Sequence, residues 1–126
     1  MSEQFGKNER IKSKKVFEKL FSEGKSINTF PLKLVFVPLE VQEEKLNKIG
    51  VSAPKKRFKK AVERNKIKRL MRESFRKNKY ILNNTKANYA LLFIYIGKEI
   101  MTYSQIFASM EKLLRKFVEQ EKSTKK

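Results

Sequence analysis

Along this chain the spacing of apolar residues alternates between the rhythm of a helix face and that of a strand, and the switches divide it into elements. From Glu9 to Glu23, Val16, Phe17, Leu20 and Phe21 recur on one helical face, and Gly24 is a natural stop. Pro31 to Leu39 is rich in β-formers, with Leu32, Leu34, Val35, Phe36 and Val37 bounded by prolines, and predicts a strand. The acidic stretch Glu40 to Lys48 reads as a turn with room for a short strand. Lys48 to Ala53 alternates through Ile49, Val51 and Ala53, the pattern of a strand with one buried face. Ala61 to Lys79 has no glycine or proline and is dense in strong helix formers. Tyr89 to Ile96 is an unbroken apolar run, as in a central strand covered on both sides. Tyr103 to Glu121 places Ile106, Phe107, Met110, Leu113, Leu114, Phe117 and Val118 along one side of a last helix. This predicts one domain over 1–126, with 1–8 and 120–126 as flexible tails.

Charge changes the picture. The chain carries 31 Lys and Arg against 13 acids, a net +18, which calls for a polyanionic partner. No apolar run is long enough to cross a bilayer, so nucleic acid is favoured over membrane and a cytoplasmic location is expected. There is no His, no Cys and no Asp, and every acid is Glu. A self-contained nuclease draws on His for proton transfer or on carboxylate clusters that include Asp for metal ions. The inventory describes a binder with no catalytic residue and no metal ligand set of its own.

The excess is concentrated. Residues 55–79 carry +11, against +3 for 1–30, zero for 31–54 and +4 for 80–126. On the helix predicted there, Ile67, Leu70, Met71 and Ser74 form a core stripe. Asn65, Lys68, Arg69, Arg72, Arg76 and Lys79 fall on the opposite side, flanked by Arg64 and Lys66. A solvated face normally mixes Glu with Lys at four-residue spacing, but Glu63 and Glu73 both lie off the basic side. Phosphate binding is therefore the expected role.

The run Ala61-Val62-Glu63-Arg64-Asn65-Lys66-Ile67-Lys68-Arg69-Leu70-Met71-Arg72-Glu73-Ser74-Phe75-Arg76 closely resembles the signature helix of the bacterial ribonuclease P protein family. Gly50-Val51-Ser52-Ala53-Pro54-Lys55-Lys56 is similar to that family's strand and Lys-Lys exit. Arg10-Ile11-Lys12, with Phe17, Phe21 and Gly24, resembles its first helix. Two departures stand out. Lys66 replaces an Arg, keeping charge but losing a forked grip on phosphate. The loop Arg57-Phe58-Lys59-Lys60 is more basic than the family's and one residue longer.

The resemblance implies an α/β (α+β) fold, a two-layer sandwich ordered helix-strand-strand-strand-helix-strand-helix, with a left-handed strand-helix-strand crossover. The acidic turn would then hold the extra strand. It also implies the protein component of a ribonucleoprotein endonuclease that trims the 5′ leader of precursor tRNA. Partners would be ribonuclease P RNA, one protein per RNA, and precursor tRNA, with Mg2+ bound mainly by the RNA. Arg64, Asn65, Lys66, Lys68, Arg69, Arg72 and Arg76 would bind that RNA. A leader is single-stranded and variable, so its site should pair basic groups with aromatic platforms. Phe17 and Phe21 fit that description, one turn apart, although two core phenylalanines is the competing reading. Phe36, Ser52, Lys55 and Lys56 join the cleft by resemblance. From composition alone, a ribosomal or ribosome-associated RNA-binding protein is the alternative.

Overall fold

The computed structural model describes residues 11, 14–39, 47–85 and 88–123. Its elements run α1 (Lys14–Glu23), β1 (Lys25–Thr29), β2 (Leu32–Pro38), β3 (Lys48–Ser52), α2 (Ala61–Asn78), a 3-10 helix (Lys79–Asn84), β4 (Tyr89–Tyr95) and α3 (Tyr103–Ser123). One sheet has the order β1-β2-β4-β3, with β1, β2 and β4 antiparallel and β3 parallel to β4. A parallel neighbour needs a crossover, and α2 supplies it.

Among the described residues the third strand before α2 lies ahead of β2. It is β1, Lys-Ser-Ile-Asn-Thr, paired with β2 from Lys25↔Phe36 to Thr29↔Leu32, so that Phe30 and Pro31 form a two-residue turn. Its single large apolar side chain, Ile27, gave no alternation to read, and pairing to β2 stabilises what propensity does not. Most of the acidic turn, 40–46, lies outside the described residues, as do Glu9, Arg10 and the start of the expected first helix.

Registration settles which side chains share a face, because directly paired residues point the same way. Leu34, Phe93 and Val51 form one row and Phe36, Leu91 and Ile49 the next, all on the side covered by α2 and α3. These two layers are the expected sandwich. Ile67, Met71 and Phe75 from α2 and Ile106, Met110, Leu113, Leu114 and Phe117 from α3 close that core. The buried polar groups of α2 are satisfied locally: Ser74 Oγ donates to Met71 O at 3.0 Å and Asn78 Nδ2 to Ser74 O at 3.0 Å.

Helix α1 lies on the other face, over Val37, Ala90 and Leu92. Leu20 is its one fully buried residue, and the helix leaves part of the sheet uncovered. Its end needs glycine. A Cβ on Gly24 would lie 2.3 Å from Leu20 O and 2.7 Å from Val35 Cγ1, which no L side chain tolerates without backbone movement. At the other end of the chain, α3 runs through Ser123, past the expected stop. Glu121 there is buried and accepts a 3.1 Å hydrogen bond from Tyr89 Oη.

Candidate nucleic-acid interface

The face of α2 turned from the core is as basic as its sequence predicts. Asn65, Lys66 and Arg69 are exposed, and Arg64, Lys68 and Arg72 are partly so. The helix begins at Lys60 without a side-chain cap. Its positive dipole end therefore faces a cationic loop with only Glu63 in the first turn to offset it. That is a favourable place for a phosphate.

Arg64 and Arg76 of the basic set make defined contacts within the chain. Arg64 Nη1 donates to Phe58 O at 2.8 Å and Lys59 O at 2.9 Å, tying the preceding loop to the helix. Arg76 bonds the Glu73 carboxylate, and its side chain is only 15% exposed. Glu73 is thus not remote from the basic side. Its three-residue spacing lets the two side chains meet along the helix. The ring of Tyr103 lies near this pair: burial and the Glu73 carboxylate push its phenol up, and Arg76 partly opposes them. Arg76 therefore has less charge to offer than Arg69.

The loop between β3 and α2 carries exposed Lys55, Lys56, Arg57, Lys59 and Lys60. It is anchored in its middle. Phe58 is 5% exposed and meets the Tyr95 ring edge-on at 5.8 Å, while Arg57 N and Phe58 N both donate to Pro54 O at 3.1 Å. Five cations are displayed around one buried aromatic. Arg57, Lys59 and Lys60 extend the expected set, and their signal was the run of charge itself.

Beside α1 a strip of the sheet is left partly exposed, and this strip is the candidate groove. On this face β3, β4 and β2 contribute the row Ser52, Ile94 and Lys33, followed by Gly50, Leu92 and Val35. Asn28 of β1 pairs with Lys33 and extends the first row. Ser52, Ile94, Lys33 and Val35 are partly exposed. On α1, Glu23 lines a separate cavity with Pro38 and Tyr89 at the far end of the strands. Phe17 and Phe21 lie roughly 120° and 160° around the helix from Glu23, on the part of α1 turned from that cavity. Phe17 is half-buried against the α1 cluster, whereas Phe21 is 72% exposed. Phe21 is therefore not a core residue, and Phe17 is one only in part.

Phe36 does not belong to this groove. It is 7% exposed on the opposite face, edge-on to Phe117 at 4.9 Å and to Tyr89 at 6.2 Å. One residue decides the face of a strand, and Val35 occupies the groove-side position. Lys33 was the missed clue: a lysine between Leu32 and Leu34 marks the odd positions as the open side. The 210 Å³ cavity that Phe36 helps to line lies away from both basic surfaces. Among the described residues, no three acidic, His or Cys side chains are grouped to hold a metal ion, and no helix is long and apolar enough to cross a membrane.

A basic helix, a cationic loop and an exposed aromatic beside an open strip of sheet, all on an α+β sandwich, are the features of the nucleic-acid-binding class. The family model described as Ribonuclease P matches residues 5–118. The chain belongs to the ribonuclease P protein family, whose members are the protein component of an RNA–protein enzyme. The ribonuclease P protein component of Porphyromonas gingivalis is 33% identical over 112 residues, covering 86% of this chain and 82% of that protein. The solved RNase P protein from Thermotoga maritima shares 26% identity at a TM-score of 0.69, covering 86% of this chain and 96% of that one. A Staphylococcus aureus RNase P protein mutant with defective mRNA degradation activity shares 28% identity at a TM-score of 0.71, covering 88% and 89%. An RNA partner and a part in tRNA processing follow from the family. The ribosomal alternative gives way to this match.

Proposed function

We propose that this chain binds ribonuclease P RNA through α2 and the loop before it. It receives the single-stranded 5′ leader of precursor tRNA in the groove beside α1, and so assists removal of the leader. Bond cleavage belongs to the RNA, which holds the Mg2+ ions in the reacting complex of one protein per RNA. The observation that carries this reading is a continuous basic track. Ser52 is followed, after Ala53 and Pro54, by exposed Lys55, Lys56, Arg57, Lys59 and Lys60, and these lead into the exposed face of α2.

Each part has a physical task. A rigid helix offers Asn65, Lys66, Lys68, Arg69 and Arg72 in fixed register to the phosphates of a folded RNA, which position without reading sequence. Arg64 acts partly through the loop it ties down, holding Lys59 and its neighbours where a second run of phosphates passes. Arg76 contributes less, since Glu73 already neutralises it. In the groove, Phe17 and Phe21 provide flat apolar surfaces that any base can stack on, and Lys33, Lys55 and Lys56 meet the backbone charge. Together these would hold precursor more tightly than mature tRNA.

The test compares the RNA alone with the RNA plus this chain in equilibrium binding to precursor and mature tRNA. The chain should raise affinity for precursor selectively, and Phe17→Ala or Lys55→Ala should reduce that selectivity. An equal gain for both tRNAs would remove the groove from substrate recognition.

A further inference from the structure

We infer that the leader groove continues beyond α1 to the turn between β1 and β2, where Phe30 provides a further platform for a nucleobase. The inference rests on the groove reading above and extends it to a residue outside the expected set.

Phe30 combines two properties that rarely occur together. Its side chain is 63% exposed, with no polar atom to hydrate. Its backbone, by contrast, is held from several directions. Ser109 Oγ on α3 donates to Phe30 O at 2.8 Å, and Ile96 N donates to Pro31 O at 2.7 Å. Lys116 Nζ donates to Asn28 O at 2.9 Å. Gly97 backs the turn so closely that a Cβ there would stand 3.1 Å from Pro31 Cβ. A loose loop could fold an exposed phenyl ring away from water. A fixed backbone limits that escape and presents the ring with its ordering cost already met, which favours a flat partner.

Position and charge indicate which partner. The row Ser52–Ile94–Lys33–Asn28 crosses the whole sheet on the groove side, and Phe30 stands two residues beyond Asn28. Three interstrand spacings separate β3 from β1, about 14 Å. The basic loop and α2, where the RNA partner would sit, join the β3 end of the row. A leader leaving the tRNA body there meets Phe17 and Phe21 on α1 before it reaches the hairpin. From Lys25 to Leu39 the chain has Lys25 and Lys33 and no acid, and Lys116 adds a third cation to the hairpin. An anionic strand fits this surface better than a second copy of a chain of the same sign.

The experiment uses the protein assembled with its cognate RNA, and precursor tRNAs whose leaders are lengthened one nucleotide at a time. With wild type, affinity should rise in two stages. Phe30→Leu should keep the first stage and lose about tenfold in the second, where a stacked base contributes. Phe30→Tyr, which retains the ring, should restore it. Because the side chain is exposed, both variants should melt like wild type. If Phe30→Leu binds every leader as wild type does while Phe17→Leu is impaired, the extension is wrong and the groove stands. Silence of both variants would remove the groove as well. A loss with mature tRNA, or a change in self-association with leader binding intact, would make Phe30 a contact for something other than the leader.

Discussion

Replacing Phe36 and Phe21 separately by alanine should give opposite results in two assays. Phe36 is 7% exposed, with edge-on ring contacts at 4.9 and 6.2 Å. Its truncation should cost about 3 to 5 kcal/mol in transfer and cavity terms. At this chain length that lowers the melting temperature by roughly 10 to 20 °C. Phe21 is 72% exposed, so its truncation should change stability by less than about 0.5 kcal/mol. Its loss should instead appear in binding, as about 1 to 3 kcal/mol of affinity for precursor. Mature tRNA, which has no leader, should be bound as before. Thermal or urea unfolding of the free protein gives the first pair of values. Precursor and mature tRNA binding by the assembled complex, under conditions where Phe36→Ala stays folded, gives the second. A Phe36→Ala protein that keeps its melting temperature but loses precursor preference would refute the assignment of faces. So would a Phe21→Ala protein that unfolds early and binds normally.

Two further outcomes follow from the electrostatics. Arg69→Ala should lower the slope of log affinity against log salt for the RNA partner by nearly one unit, whereas Arg76→Ala, already neutralised by Glu73, should change it less. Equal slopes for the two variants would contradict this division of the helix. Burial, and then the hydrogen bond and charge of Glu121, push the Tyr89 phenol up from 10.0 to about 12. The folded state therefore holds this proton more tightly than the unfolded chain. Its stabilising contribution is complete below pH 10 and is lost as pH rises through about 12. Tyr89→Phe should reduce the alkaline loss of stability in unfolding curves taken across that window, and an unchanged profile would disprove the linkage.

Much of this was legible in the sequence because the signals were local. The charge of residues 55–79, the apolar stripe through Ile67 and Met71, and the glycine stop at Gly24 each depend on neighbours a few positions away. What failed to show was long-range. β1 exists because β2 pairs with it, so a strand with one apolar residue in five had no pattern to betray it. Only the resemblance puts Phe36 in the cleft; the run Leu32–Val37 is apolar on both sides of the sheet, and Lys33 alone distinguishes them. The pairing of Glu73 with Arg76, and of Arg64 with the Phe58 and Lys59 carbonyls, depends on rotamers and a loop path that a helical wheel does not contain. Phe30 escaped notice for the same reason: its exposure is a property of the turn and its tethers, not of the residues beside it in sequence.

In the proposed division of labour this chain positions RNA and leaves the chemistry to its partner. The most direct test is single-turnover cleavage of precursor tRNA at low Mg2+ by the purified chain alone, by the cognate RNA alone, and by the two together. The chain alone should cleave nothing at any Mg2+ concentration, the RNA alone should cleave weakly, and the pair should cleave efficiently at the mature 5′ end. Reproducible single-site cleavage by RNA-free protein would contradict that division of labour.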